Sequence, residues 1–250
     1  MEKIFDTKIL SNEKVTEGIF RLELDAPQLA EMSNPGQFVE VKISDELTLR
    51  RPLGIASTKD NRVRIFYRVI GKGTKFLSEK KSGENLDILG PLGNGFDMNV
   101  DGKILLVGGG MGLAPLLSVA EKFDNAEILM GGKTKSELLF WYREFRPLVR
   151  NFFVTTDDGT LGRKGFVTSL LPAVLEVEKY SAVYACGPEV MMRGTAFETL
   201  ARDIPCQVSF ERRMACGLGA CLGCSIDTTK GRKKVCKDGP VFDAREIFDL

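Results

Sequence analysis

Through the first hundred residues, apolar and polar side chains alternate in short runs. Residues 19–24, 37–43, 62–69 and 85–89 each bring Val, Ile, Leu, Phe or Tyr to about every second position, with Pro, Gly, Asn and Asp between the runs. A period of two predicts half-buried strands, and several such strands joined by polar turns predict an antiparallel barrel. From residue 103 the rhythm changes. Apolar runs at 103–107, 126–130, 152–156 and 182–185 each lead into a helical pattern, the first beginning after Gly112 and the others covering 136–145, 166–177 and 188–202. Strand alternating with helix predicts a parallel sheet covered on both faces. The last stretch is short and rich in glycine and cysteine. The expected fold is α+β and multidomain: an antiparallel β-barrel over 1–99, an α/β parallel-sheet domain over 100–204 and a small segment over 205–250. That segment is too small for a core of its own, so a bound group is expected to hold much of it together.

Composition narrows the chemistry. The 250 residues are 43% hydrophobic, ordinary for a globular protein, and 35 basic against 34 acidic residues leave a net charge of +1. Without a single-sign block, neither nucleic acid nor an anionic membrane is an expected partner. The longest apolar runs, such as 104–107 and 113–117, fall short of a membrane span, and a cytoplasmic location is expected. There is no histidine. That excludes His-ligated metal sites and every Ser/His or Cys/His nucleophile, so reactivity is expected from bound cofactors and no side chain of this chain is assigned a catalytic role.

Four of the six cysteines, Cys216, Cys221, Cys224 and Cys236, stand in the spacing C-x4-C-x2-C-x11-C, with Gly217, Gly219 and Gly223 between the first three. This is the spacing type of plant-type [2Fe–2S] ligation, and glycines suit a chain bent tightly around a small inorganic core. Structural zinc is the alternative, but zinc sites usually set one close cysteine pair against another. Cys186 and Cys206 lie apart in unrelated contexts and read as small buried hydrophobes.

Two turns in the second segment suggest a nucleotide. The run at 103–107 leads into Gly108, Gly109, Gly110 and Gly112 and then Pro115, where backbone and helix N–H groups can approach a pyrophosphate. Its G-x-G-x-x-P departs from the usual G-x-G-x-x-G, which leaves a plain strand-to-helix turn as the alternative. Cys186, Gly187 and Pro188 form a second turn at a later strand end, expected to face the same crevice. At the adenosine end the signals conflict: Asp157 and Asp158 suit a ribose hydroxyl, whereas Lys133 or Lys135 suits a 2′-phosphate. The balance favours NAD.

In the barrel, Arg51, Pro52, Leu53 and Gly54 set a guanidinium beside a rigid proline and a small residue, a segment able to hold a phosphate against the backbone. With the two later turns in the same order, the chain resembles the ferredoxin reductase family, whose members carry FAD on a barrel and a nicotinamide nucleotide on the following α/β domain. The cysteine run narrows the resemblance to electron transfer subunits of NAD-dependent dihydroorotate dehydrogenase. The matching stretches are 51–54, 66–68, 73–74, 90–96, 108–115, 186–188, 211–224 and 235–242, spread over nearly the full length. The resemblance implies FAD contacts from Arg51, Pro52, Leu53, Gly54, Phe66, Tyr67, Arg68, Gly73 and Thr74. It places NAD at Gly109, Gly110, Gly112, Cys186, Gly187 and Pro188, and iron on the four C-terminal cysteines. Gly54 departs from the family's usual hydroxyl residue. The resemblance further implies an FMN-containing catalytic subunit as partner, in a heterotetramer of two of each chain, with electrons passing from FMN through the cluster and FAD to NAD⁺ in pyrimidine biosynthesis. Two other readings stand beside it. One is a subunit of another flavin and iron–sulfur complex, such as an NADH-dependent ferredoxin:NADP oxidoreductase or a sulfide dehydrogenase. The other is a non-redox nucleotide-binding protein with structural zinc.

Overall fold

The computed structural model describes residues 3–249. Six strands close a barrel in the order β1-β2-β5-β4-β3-β6: β1 (Lys3–Thr16), β2 (Ile19–Asp25), β3 (Phe38–Lys42), β4 (Arg51–Ser57), β5 (Arg62–Arg68) and β6 (Asn85–Leu92). All neighbours are antiparallel. Two of these strands carry no clean alternation. β1 is interrupted by polar residues where its pairing with β2 shifts register, between Ile9 and Ser11 and again between Lys14 and Thr16. β4 begins with the polar Arg51 and contains Pro52. Ile9, Leu22, Val39, Val41, Ile55, Ile65 and Ile88 fill the barrel interior. A short helix, α1 (Pro27–Met32), leads from β2 towards β3, and α2 (Lys72–Glu79) links β5 to β6.

The second body is a seven-stranded sheet in the order β10-β9-β8-β7-β11-β12-β15. Its parallel strands are β7 (Ile104–Gly109), β8 (Ala126–Gly132), β9 (Asn151–Thr156), β10 (Arg163–Lys164), β11 (Ala182–Cys186) and β12 (Cys206–Ser209). Helices α3 (Leu113–Ala120), α4 (Lys135–Phe145), α5 (Val167–Val177) and α6 (Glu189–Leu200) connect them, close to the ranges expected from the apolar pattern. The chain builds outward from β7 through β8 and β9, then returns to add β11 on the opposite side of β7. Strand order therefore reverses between β7 and β11, and ligands of open α/β sheets bind at the carboxyl side of such a point.

The C-terminal segment is woven into this sheet. β12 lies beyond residue 205, and after the hairpin β13 (Ser225–Thr228) and β14 (Gly231–Lys234) the chain adds β15 (Val241–Asp243) antiparallel to β12 before a final turn, α7 (Ala244–Ile247). Cys224, Ile226, Val235, Cys236, Phe242 and Phe248 belong to one buried cluster with Leu105, Val183 and Val208 of the sheet and Phe38 and Leu92 of the barrel. Apolar packing thus supports the tail alongside the bound group expected to hold much of it together. Among the described residues, no helix is long and apolar enough to cross a membrane.

Candidate functional site

The barrel signature brings a guanidinium to a helix start. Arg51 to Gly54, the first half of β4, are only half-buried, whereas Ile55 to Ser57 go inside. The Arg51 guanidinium donates to the carbonyls of Leu49 and Arg50 and lies against the first turn of α2. Gly73 leaves room for it, since a Cβ at this position would overlap the guanidinium and push it aside. Thr74 shapes the same turn, its hydroxyl accepting from the N–H groups of Ile70 at 3.0 Å and Gly71 at 3.3 Å. A guanidinium beside the unpaired N–H groups of a helix start favours a phosphate or diphosphate. Gly54 faces open space, so nothing in this chain forbids the missing hydroxyl side chain.

The neighbouring strand divides its side chains between two faces. Tyr67 points into the barrel, stacks on Phe20 and donates to Asn12 Oδ1 at 2.9 Å; burial raises its phenol well above the ordinary range. Asn12 in turn donates to the carbonyls of Leu77 and Lys80 at the end of α2, so Tyr67 steadies the helix that forms the cradle. Phe66 packs on Trp141 and Phe140 of α4, with ring centroids 4.9 and 6.1 Å apart. Arg68 pairs with Glu137 of α4 at 2.9 Å. For a ligand on this strand, Phe66 and Tyr67 offer their backbones and Arg68 its part-exposed guanidinium.

Both glycine turns meet where strand order reverses. Cys186 stands beside Gly108 in the register of β11 with β7, and a Cβ on Gly112 would overlap the Cys186 carbonyl and the Gly187 nitrogen. The Cys186 thiol is buried and donates to the Ser209 carbonyl at 3.5 Å. Burial, with the Glu211 carboxylate adding to it, holds that thiol far above its usual range, so the residue presents backbone to the crevice. Cys206 is also buried, its thiol pushed up to about 12. At the end of β9, Asp158 accepts from the N–H and hydroxyl of Thr160 at 2.9 and 2.7 Å, bonds that hold its carboxyl below the usual range. The Thr160 hydroxyl also accepts from the Lys135 N–H at 2.9 Å, lacing this acidic end to the start of α4.

The four tail cysteines converge as two pairs, and all are free thiols. Cys216 Sγ accepts from the amides of Leu218 at 3.4 Å and Cys221 at 3.5 Å, and Cys224 Sγ accepts from the amide of Cys236 at 3.4 Å. Burial pushes the Cys216 thiol up, but the surrounding amides outweigh it and bring the group down to about 6. Cys236 is pushed up to about 12, first by burial and then by the adjoining Cys224. Among the described residues, no three His, Cys, Asp or Glu side chains gather as they would about one metal ion. Two thiol pairs served by inward amides fit a two-iron cluster better than one tetrahedral zinc.

One residue unmarked in the sequence links the cradle to this loop. Glu40 on β3 is fully buried, pairs in register with Pro52 and meets the backbone at Gly217; neither carboxyl oxygen has a hydrogen-bond partner. Burial lifts its carboxyl to about 7, the Cys216 thiol adds to the rise, and Arg50 and Arg51 oppose it. The barrel also clasps the loop beyond Cys236, where Asn94 donates from its side chain to the carbonyls of Lys237 at 3.2 Å and Asp238 at 3.0 Å. A buried acid in a period-two strand looks from sequence like one more solvent-facing residue, because its cover comes from a segment nearly two hundred positions away.

The chain is similar to known proteins over nearly its full length. Residues 211–248 match a family model described as the iron–sulfur cluster binding domain of dihydroorotate dehydrogenase B. Over 99% of its length the chain is 38% identical to the dihydroorotate dehydrogenase B (NAD(+)) electron transfer subunit of Clostridium acetobutylicum, covering 98% of that protein. It is 35% identical to the corresponding subunit of Desulforamulus reducens, with 99% of both chains covered. Among solved structures, an NADH-dependent reduced ferredoxin-NADP oxidoreductase superimposes with a TM-score of 0.88 at 32% identity, covering 97% of this chain and 89% of that one. A ferredoxin NADP⁺ reductase from Neisseria gonorrhoeae with bound FAD and NADP, at 19% identity and a TM-score of 0.64, shares the fold.

Proposed function

The chain belongs to the family of dihydroorotate dehydrogenase B (NAD(+)) electron transfer subunits, and from that premise we propose how its parts carry electrons. Cys216, Cys221, Cys224 and Cys236 hold a [2Fe–2S] cluster. Arg51 and the start of α2 bind the diphosphate of FAD, with Pro52, Leu53, Gly54, Arg68, Gly73, Thr74 and the backbones of Phe66 and Tyr67 around the rest of it. Gly109, Gly110 and Gly112, with Cys186, Gly187 and Pro188, receive the nicotinamide nucleotide at the carboxyl ends of β7 and β11. Asp157 and Asp158 favour NAD, since a ribose hydroxyl can donate to them and a 2′-phosphate is repelled. When bound, the flavin exchanges two electrons with the nicotinamide and one at a time with the cluster.

The observation that carries this reading is Glu40, which has the Cys216 loop on one side and the Arg50–Arg51 strand on the other. Cluster and flavin sites therefore share one protein wall, and an electron can cross it without entering solvent. The chain's own residues bind, orient and exclude water, and the absence of histidine agrees with acid–base chemistry belonging to a partner catalytic subunit. We place FMN on that subunit, two copies of each chain in the complex, and the assembly in the reducing cytoplasm where free thiolates persist.

Anaerobic purification with the co-expressed partner tests the proposal. FAD, FMN, and iron and sulfide in equal amounts are expected, together with dihydroorotate-dependent reduction of NAD⁺. A colourless chain carrying zinc would sink it. The 0.88 superposition on the NADH-dependent ferredoxin-NADP oxidoreductase supports a second reading, a subunit of that kind of complex. Reduction of ferredoxin in place of dihydroorotate turnover would select it.

A further inference from the structure

Helix α4 joins the two cofactor regions through one carboxylate that no motif marks. Glu137 Oε1 accepts from Arg68 at 2.9 Å, and Glu137 Oε2 accepts from the backbone N–H of Lys133 at 2.8 Å. The first bond reaches the end of β5 in the barrel, and the second holds the turn that leaves β8 at the carboxyl edge of the sheet. Along the same helix face, Trp141 and Phe140 pack on Phe66, and one further turn on Glu144 accepts from Arg21 at 3.3 Å and Arg64 at 3.4 Å. Residues three, four and seven apart share a helix face, so α4 is a rail along which barrel and sheet are held in one orientation. At its Glu137 end the helix meets Arg68 of the proposed flavin site and the Lys133 turn, whose carbonyl accepts from the N–H of Asp158 in the proposed nucleotide site at 3.3 Å.

We propose that Glu137 is a positioning residue for hydride transfer between nicotinamide and flavin. This inference rests on the FAD and NAD sites proposed above. In the transfer, C4 of NADH gives a hydride, two electrons with one proton, to N5 of the isoalloxazine; one proton from water completes FADH2 and leaves NAD⁺. The donor and acceptor atoms must approach to about 3–3.5 Å in line, and a misplacement of about 1 Å costs about 10²-fold in rate. Arg68 lies in the proposed flavin site, and Lys133 on the turn bonded to Asp158 at the edge of the proposed nucleotide site. By tying them together, a single carboxylate sets the angle at which the two rings meet.

The test uses the full chain loaded with FAD and cluster, mixed anaerobically with NADH while flavin absorbance is followed. In Glu137→Gln the side-chain amide retains one acceptor oxygen and cannot serve both donors. The limiting reduction rate should fall by about 10²-fold while half-saturating NADH stays near wild type. The long-wavelength charge-transfer absorbance of the flavin–nicotinamide pair should weaken, with FAD and iron contents unchanged. In the unloaded chain, backbone amide exchange at 66–68 or at 131–133 should quicken. Glu144→Gln loosens the other end of the rail, contacts neither site, and should reduce flavin at the wild-type rate. A wild-type rate and band in Glu137→Gln, or an equal loss in Glu144→Gln, would overturn the inference. Should Glu137→Gln fail to fold, Glu137→Asp keeps the charge but is too short for both donors; it should lose rate in the same direction, and a wild-type rate there would also overturn it. A wild-type chain that takes up no FAD, or whose flavin NADH does not reduce, would instead defeat the site assignments beneath it.

Discussion

The cysteine loop proposed for the cluster and the Arg51 cradle proposed for the flavin stand on two sides of one buried carboxyl, yet they are built in opposite ways. The loop draws three of its four thiols from nine consecutive positions, and nearby backbone amides bring Cys216 down to about 6. The cradle assembles Arg51, Gly73 and Thr74 from a strand and a helix start, and it is steadied by Tyr67 acting through Asn12 from a third and a fourth element. A locally encoded site can be damaged by one ligand and leave the rest standing. A site assembled from distant elements loses function by degrees as each support is removed.

Four substitutions sharpen that contrast, in descending order of effect. Cys221→Ala should reduce iron and sulfide to background while FAD content stays at the wild-type level; simultaneous loss of FAD would show that the two sites are not independent. Glu40→Gln acts on the wall between them. Because the folded carboxyl is lifted from 4.5 to about 7, its protonated form is the one that folding favours. Below pH 4.5 wild type bears no penalty, and as pH rises through about 7 wild type loses stability that the glutamine variant keeps. The variant's advantage should reach about 3 kcal/mol at pH 8 and vanish near pH 4, measured by denaturant unfolding across that range.

Arg51→Gln should weaken FAD binding by about 2 kcal/mol, the scale of a hydrogen bond to a charged group, with iron content untouched. Equilibrium titration of the unloaded chain with FAD checks it. Tyr67→Phe should be the mildest, costing about 1 kcal/mol of stability and lowering FAD affinity only slightly, as seen in paired melting and titration curves. A larger loss of FAD from Tyr67→Phe than from Arg51→Gln would mean that the cradle depends on α2 placement more than on the guanidinium.

Much of the candidate site's local geometry was legible because its signals are short-range. The spacing of Cys216, Cys221 and Cys224 can be read within one loop, and the turns at 108–112 and 186–188 announce strand ends wherever they sit. Their meeting required only the rule that ligands gather at the carboxyl edge of a parallel sheet, and the Gly112 contact with Cys186 satisfies it. Strand β1 was obscured by polar residues at its register shifts, and β4 by Pro52 and a polar start, because pairing partners stabilise both without a clean alternation. The inward turn of Tyr67, the burial of the Cys186 thiol and the roles of Glu40 and Glu137 carry no local mark.

The amino-acid order alone determined most barrel strands, the strand–helix alternation from β7 to α6 and the thiol loop, since apolar period, turn residues and ligand spacing act over a few neighbouring positions. Tertiary structure decided which acids are buried, which face of β5 meets the second body, and that the tail shares its core with the sheet rather than hanging from its metal. Those outcomes depend on desolvation and packing between residues tens to hundreds of positions apart. Such energies exist only once the distant surfaces have met.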